Sequence, residues 1–205
     1  QTSLCVAPLL LYGNEEQKEK DLPGIVSAEI KSCYCLTEPG AGSDANAGKT
    51  RAVYTKDGKH LLLNGQKMWI TSSGYADLFF VFAKIENDQN LSCLIVEKAY
   101  GGIRLGEEEK KMGIKGSSTR QVFFENVKVP AENLLGRRND GFKIALNVLN
   151  TGRIKMATSV TGNAKRAFRL GVQYAAGRRQ FGRPIAEFGA IRHKLGRSEE
   201  HTSEL

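Results

Sequence analysis

The sequence predicts an α+β fold with a β-rich middle between two helical ends, and three features carry that prediction. Asp57-Gly58 and Asn64-Gly65 punctuate short apolar runs as hairpin turns, because Asn, Asp and Gly tolerate positive φ. From Gly141 the apolar period changes: Ala145, Leu149, Gly152, Met156, Val160, Ala164, Phe168, Gly171 and Ala175 recur every three or four residues, as on one helix face. Between these regions, prolines and glycines cut the chain into strand-length pieces.

Residues 4–12 are apolar and predict a helix that Gly13 ends. Asn14-Glu15-Glu16-Gln17 reads as a capping box opening a short charged helix that stops at Leu22-Pro23. Residues 33–37 form a β-run, and Pro39 ends it because proline has no N–H to donate. Further strands are expected at 51–56, 60–63, 67–71, 78–85, 91–97, 121–124 and 127–129, making an antiparallel barrel or sandwich of roughly 100 residues. Asp140 is a suitable N-cap and Gly177 a suitable stop for a helix of roughly 35 residues. The small residues on its stripe suit close packing in a bundle, and a second helix is expected near Ile185. The expected boundaries are 1–32, 33–138, 139–196 and 197–205.

The 205 residues are 40% hydrophobic and 25% charged, as in globular proteins, and the longest strongly apolar run, 78–83, is too short to cross a bilayer. No secretory signal opens the chain, and Gln1 starts in mid-element as though the N-terminus were cut. Cys5, Cys33, Cys35 and Cys93 lack a disulfide or metal-ligand spacing and read as reduced, structural thiols. His60, His193 and His201 are isolated from one another, so neither a metal site nor a catalytic histidine is expected. The net charge of +8 is read as interleaved with acids: a solvated basic surface, or specifically a site for coenzyme phosphates. Without a Lys/Arg tract or an aromatic–basic motif, no nucleic-acid partner is expected.

Four stretches offer chemistry. Tyr34-Cys35-Leu36-Thr37-Glu38-Pro39-Gly40-Ala41-Gly42-Ser43-Asp44 is a strand running into a loop of glycines, a hydroxyl and a carboxylate. That combination suits a flat, hydrogen-bonding, phosphate-bearing ligand, and equally an ordinary Pro-Gly turn. Gly40-x-Gly42-x-x-Ala45 matches a dinucleotide fingerprint, but no helix follows it; residues 43–50 end like a phosphate-binding P-loop, but five residues separate Gly42 from Gly48 where four are required. In Lys67-Met68-Trp69-Ile70-Thr71, Trp69 is the only tryptophan, either a core aromatic or the cover of a ring system. Asn150-Thr151-Gly152-Arg153 places an arginine in a largely apolar helix, where it needs either an ion-pair partner or a substrate. Arg178-Arg179-Gln180-Phe181-Gly182 follows the helix end, where arginines complement the dipole or hold phosphate oxygens.

Residues 34–44 closely resemble the flavin-binding signature of the acyl-CoA dehydrogenases, and residues 67–71 and 178–182 match further segments of that family in order. Residues 1–32 resemble the end of its N-terminal helical domain, and residues 111–119 resemble its long- and very-long-chain members. Phe188-Gly189 stands in place of a family histidine, as in very-long-chain relatives. The resemblance runs from about residue 4 to residue 196. It implies an acyl-CoA dehydrogenase-like fold with a truncated C-terminal helical bundle, FAD as cofactor, and oxidation of a long-chain fatty acyl-CoA to trans-2-enoyl-CoA in β-oxidation. A glutamate would remove the α-proton, and the β-hydrogen would leave as hydride to the flavin. Electron-transfer flavoprotein would collect the electrons.

By the same resemblance, Tyr34, Cys35, Leu36, Thr37, Gly42, Ser43, Trp69, Ile70 and Thr71 line the flavin, with Ser43 also at the coenzyme A thioester. Asn150 and Arg153 lie along the acyl-CoA pocket. Arg178, Gln180 and Phe181 reach the FAD pyrophosphate and adenine of a neighbouring subunit in a homodimer or homotetramer. Some relatives hold the catalytic glutamate immediately before the arginine at 153; here that residue is Gly152, so the base is expected further C-terminal and the chain alone is expected to be inactive. The family implies a cytoplasmic location in bacteria and the mitochondrial matrix in eukaryotes. Alternative roles within the family are assembly or nucleic-acid binding, or an acyl-CoA oxidase. The polar residues 197–205 lose the apolar spacing and resemble a translated sequencing-library adaptor, so the biological sequence is expected to end at Gly196.

Overall fold

The computed structural model describes residues 2–203, with side chains for residues 4–197. The chain forms two compact units, Gln1–Asn150 and Thr151–Leu205.

The first unit opens with helices α1 (Thr2–Tyr12) and α2 (Glu15–Ser27). The capping box is formed: Asn14 Oδ1 accepts from Gln17 N at 2.8 Å and Gln17 Oε1 accepts from Asn14 N at 3.2 Å. Pro23 does not end α2, contrary to the sequence reading. A proline removes one intrahelical bond, but Ile25 beyond it is fully buried in the core and carries the helix on. The helix stops at Ala28, which turns left-handed (φ 63°) and donates its N–H to Ile25 O at 3.3 Å.

Eight strands follow: β1 (Ser32–Cys35), β2 (Arg51–Tyr54), β3 (His60–Thr71), β4 (Leu78–Ile85), β5 (Ser92–Glu97), β6 (Ile103–Glu108), β7 (Thr119–Pro130) and β8 (Leu134–Leu135). They pair in the order β6-β7-β3-β2-β4-β5-β8, with β1 also on β4. The terminal strands β6 and β8 do not pair, so the sheet is not a closed barrel. Nor is it wholly antiparallel: β1 and β2 both run parallel to β4. β4 is the central strand. Its Phe79, Val81, Ala83 and Ile85 enter one core between strands, while Leu78, Phe80 and Phe82 enter a second core with Cys5, Leu9, Ile25, Ile144 and Ala145 of the helices. Burial on both faces explains its unbroken apolar sequence.

One expected turn and one expected strand break are absent. Asn64-Gly65 lies inside β3, where the register to β7 shifts between Leu63 and Gly65. Gly65 (φ 152°) marks a bulge, and a Cβ there would sit 2.5 Å from Thr50 Oγ1. Likewise residues 121–124 and 127–129 belong to one strand, β7, which passes through Asn126 at φ 51°. β6 was not anticipated. Asp57-Gly58 does turn the chain, with Gly58 at φ 68° and its N–H on Thr55 O at 2.8 Å.

Helix α3 runs Gly141–Gly177, as its period predicts. Ile144, Ala145 and Val148 near its start are buried. In the second unit Ile154, Met156, Val160, Leu170, Val172 and Tyr174 are exposed, so the expected close packing along the stripe is not present among the described residues. After α3 come a two-stranded hairpin of β9 (Arg179–Gln180) and β10 (Arg183–Pro184), a single 3-10 turn at Ile185–Glu187, and α4 (Gly189–Ser203). The helix continues into the polar tail as far as Ser203, since Arg, Glu and Ser extend an existing helix at little cost; Glu204 and Leu205 lie outside the described residues. Among the described residues, no helix is long and apolar enough to cross a membrane.

Two glycines of α3 separate packing from propensity. A Cβ on Gly141 would lie 2.5 Å from the carbonyl carbon of Ser92 and 2.7 Å from that of Leu91, whereas one on Gly162 meets nothing within 4 Å. Gly141→Ala is expected to destabilise by about 1–3 kcal/mol and Gly162→Ala to stabilise by about 1 kcal/mol, read as opposite shifts in urea midpoint.

Candidate functional site

β1 ends at Cys35, and Glu38 and Ala41 then exchange backbone bonds of 3.1 Å in both directions around Pro39-Gly40. Gly42 and Ser43 emerge exposed, and no atom lies within 4 Å of where a Cβ on Gly40 or Gly42 would be. Residues 45–47 make one 3-10 turn, so the helix that a dinucleotide fingerprint requires is absent at this point.

The end of β3 lies alongside. Lys67 faces Val122 and Ile70 faces Arg120 on β7, so β3 carries one extra residue between them. Trp69 sits in this bulge at φ 55°, and the residue is 60% exposed. A left-handed tryptophan costs about 1–2 kcal/mol, so the surroundings must impose it. Met68 N donates to Thr37 O at 2.9 Å and thereby joins the two sequence motifs directly. Thr37 and Thr71 are half-buried.

Beneath them lies a buried ion pair. Lys67 Nζ donates to Glu38 Oε1 at 2.7 Å, Phe82 O at 2.6 Å and Leu36 O at 3.1 Å, filling all three ammonium donors. Glu38 also accepts from Lys49 N at 2.6 Å and Thr50 N at 3.1 Å. Gly48 makes room, since a Cβ there would lie 2.8 Å from Glu38 Oε1. Burial pushes the Glu38 carboxyl up, but the Lys67 ammonium and the bonds from Lys67, Thr50 and Lys49 outweigh it and hold the group below the usual glutamate value. Burial pulls Lys67 below the ordinary lysine value against the pull of Glu38. The sequence reading missed both residues as site elements. The signal was present: Leu61, Leu63 and Lys67 fall on the inward positions of one strand, and a lysine on an apolar face needs a partner.

The other expected residues divide into groups. Tyr34 packs its ring on Phe82 (4.9 Å between centroids) and donates its hydroxyl to Ala145 O at 3.3 Å, so its side chain serves packing. Cys35 and Ile70 are buried, and Leu36 packs against the core that contains the helices. All four cysteines are free thiols; burial pushes Cys5 up to about 12 and Cys33 and Cys93 well above the usual range, so they are poor nucleophiles. Asn150 and Arg153 are exposed, about one turn apart on α3.

In the second unit, Phe181 (φ 52°) and Gly182 (φ 80°) form the two-residue loop between β9 and β10, both in the positive-φ region that such a hairpin demands. Phe181 is 91% exposed and meets Phe188 edge-on at 6.1 Å, while Arg183 lies 4.3 Å over the Phe188 ring. Arg179 Nη2 donates to Gly182 O at 2.7 Å and Gln180 Nε2 to Arg179 O at 2.7 Å. Arg178, Gln180 and Phe181 thus share one short, exposed turn. The positive charge is less interleaved than expected: between Asp140 and Glu187 the sequence has nine lysines and arginines and no acid.

Comparison with known proteins gives the family. Residues 33–127 match the acyl-CoA dehydrogenase middle domain and residues 139–203 the acyl-CoA dehydrogenase C-terminal domain. The chain belongs to the acyl-CoA dehydrogenase family. It is 50% identical over 189 residues to a probable acyl-CoA dehydrogenase of Bacillus subtilis, covering 92% of this chain and 32% of that protein. It is 45% identical over 197 residues to the mitochondrial very long-chain specific acyl-CoA dehydrogenase of Rattus norvegicus, covering 92% of this chain and 30% of that protein. A crystal structure of an acyl-CoA dehydrogenase complexed with FAD from Bacillus anthracis superposes with a TM-score of 0.90 at 49% identity, covering 96% of this chain and 33% of that one. The chain therefore spans about a third of the length of these family members.

Within this family framework, Lys67→Met leaves the Glu38 carboxylate buried without its cation and is expected to cost about 3–5 kcal/mol in urea unfolding. The pair also sets an acid limit. Because the folded Glu38 pKa is depressed, its contribution is complete above the unfolded glutamate value of about 4.3 and is lost as pH falls through the folded one. Lys67→Met/Glu38→Leu should therefore lose less stability than the parent chain between about pH 5 and pH 2, measured by thermal midpoint.

Proposed function

We propose that this chain carries the flavin- and substrate-binding core of an enzyme for FAD-dependent α,β-dehydrogenation of a long-chain fatty acyl-CoA to the trans-2-enoyl-CoA. The observation that carries this reading is Trp69. The sole indole is held outward by a left-handed backbone, one residue from the N–H that bonds Thr37. An exposed aromatic plane flanked by two threonines and a glycine-opened loop fits a flat, polar-edged ring system. Bound there, FAD would supply the two-electron acceptor for the substrate's β-hydrogen.

The chain's own residues have distinct tasks in this reading. Trp69 covers one ring face and excludes water from it. Thr37 and Thr71 offer hydroxyls at its edges, with the backbone of Tyr34, Cys35, Leu36 and Ile70 fixing the strand ends they stand on. Gly42 lets a thioester approach the loop, and Ser43 donates to it. Asn150 and Arg153 line the acyl-CoA side. Arg178, Gln180 and Phe181 serve the pyrophosphate and adenine of a neighbouring subunit's cofactor, in a homodimer or homotetramer. The acid-free basic run from residue 141 to residue 186 supports a phosphate-bearing partner. Gly152 has no side chain to take a proton, so the α-proton passes to a base supplied from outside these residues, and the chain alone is inactive. Electrons leave to electron-transfer flavoprotein, in the cytoplasm of a bacterium or the mitochondrial matrix of a eukaryote.

Binding tests this reading without requiring turnover. FAD titration should quench Trp69 fluorescence saturably, and Trp69→Ala should weaken FAD binding by about tenfold, roughly 1.4 kcal/mol, by flavin fluorescence polarisation. Absence of saturable FAD binding by the parent chain overturns it.

A further inference from the structure

We propose that Lys67 and Glu38 are positioning residues for the flavin site: the buried pair sets the orientation of the Trp69 indole and its distance from Thr37. The role assigned to that site rests on the proposed flavin binding; the positioning itself rests on geometry within this chain.

Trp69 lies two residues after Lys67, and the bulge that sets its left-handed φ begins at Lys67. Two bonds tie this segment to the other motif. Met68 N reaches Thr37 O at 2.9 Å, and Lys67 Nζ reaches Leu36 O at 3.1 Å, one residue earlier on the same strand end. A third, from Lys67 Nζ to Phe82 O at 2.6 Å, ties both to the central strand β4. The ammonium therefore fixes three segments at one point, and Glu38 fixes the ammonium. Glu38 itself is held by the backbone N–H groups of Lys49 and Thr50, so the clamp is anchored on the far side as well. Trp69 is mostly exposed, so little packing of its own selects its conformation. The constraint comes from below. A guanidinium is planar and larger than an ammonium and cannot reproduce three converging bonds, so arginine is not a conservative replacement here.

A purely structural pair and a positioning pair differ in what survives repacking. Lys67→Met/Glu38→Leu removes both charges and fills their space but leaves four backbone groups without these partners, so the variant is expected to unfold cooperatively at a lower midpoint than the parent. Trp69, the sole tryptophan, then reports its own environment without any cofactor. The proposal expects a shifted emission maximum, an altered acrylamide quenching constant, and FAD affinity lower by about tenfold or more. Parent-like emission, quenching and FAD affinity in the double variant overturn it. If the double variant does not fold, Glu38→Asp, which keeps the charge and withdraws the carboxylate by one methylene, decides by the same readouts. If the parent chain itself fails to bind FAD, the proposed function falls, while Trp69 emission still decides whether the pair positions the indole.

Discussion

The Lys67–Glu38 ion pair is the interaction on which the site depends, and the reason it is ionic lies in the backbone around it. Loops that leave a strand expose carbonyls and N–H groups with no ladder partner, and buried groups of that kind cost stability when left unmade. The Lys67 ammonium satisfies Leu36 O and Phe82 O, and the Glu38 carboxylate satisfies Lys49 N and Thr50 N. An apolar pair of the same volume would fill the space and orphan four backbone groups. The charges are thus a by-product of bringing two irregular strand ends together inside a core, and their attraction offsets the cost of burying them.

The sheet supplies the rigidity that such a clamp requires. β4 is buried on both faces, with one set of side chains in the inter-strand core and the other under the helices. β1 and β2 both pair parallel to it, so the loop between them, which contains Glu38 and Ser43, runs between two strands held by the same neighbour. Strain at Trp69 is tolerable because the strands on either side of the bulge are fixed. An exposed aromatic residue held outward in a disfavoured conformation over a well-packed support is the pattern expected of a preorganised site.

The second unit follows a different logic. α3 forms on local propensity and period, yet much of its apolar stripe is exposed among the described residues. The exposed aromatic of Phe181 and the nearby arginines are presented by a two-residue hairpin rather than by a core.

Much of this was legible in the sequence, because period and turn chemistry are local. The start and stop of α3 at Gly141 and Gly177, the capping box at Asn14, the β4 and β5 strands and the family motifs at residues 34–44 and 67–71 could all be read from neighbouring residues. Three matters could not. Asn64-Gly65 has the composition of a turn, and only the partners of β3, Thr50 on one side and β7 on the other, make it a bulge. Pro23 carries a local stop signal that burial of Ile25 overrides. Glu38 and Lys67 stand 29 positions apart, and no local rule couples them. The sequence alone determined the helical ends, most of the strands and the family motifs, because these rest on neighbouring residues. The tertiary structure decided how the strands pair, which glycine bends rather than turns, and that a lysine on an inward strand face meets a glutamate from another loop, because burial and hydrogen-bond satisfaction are properties of the packed chain and not of its neighbours in sequence.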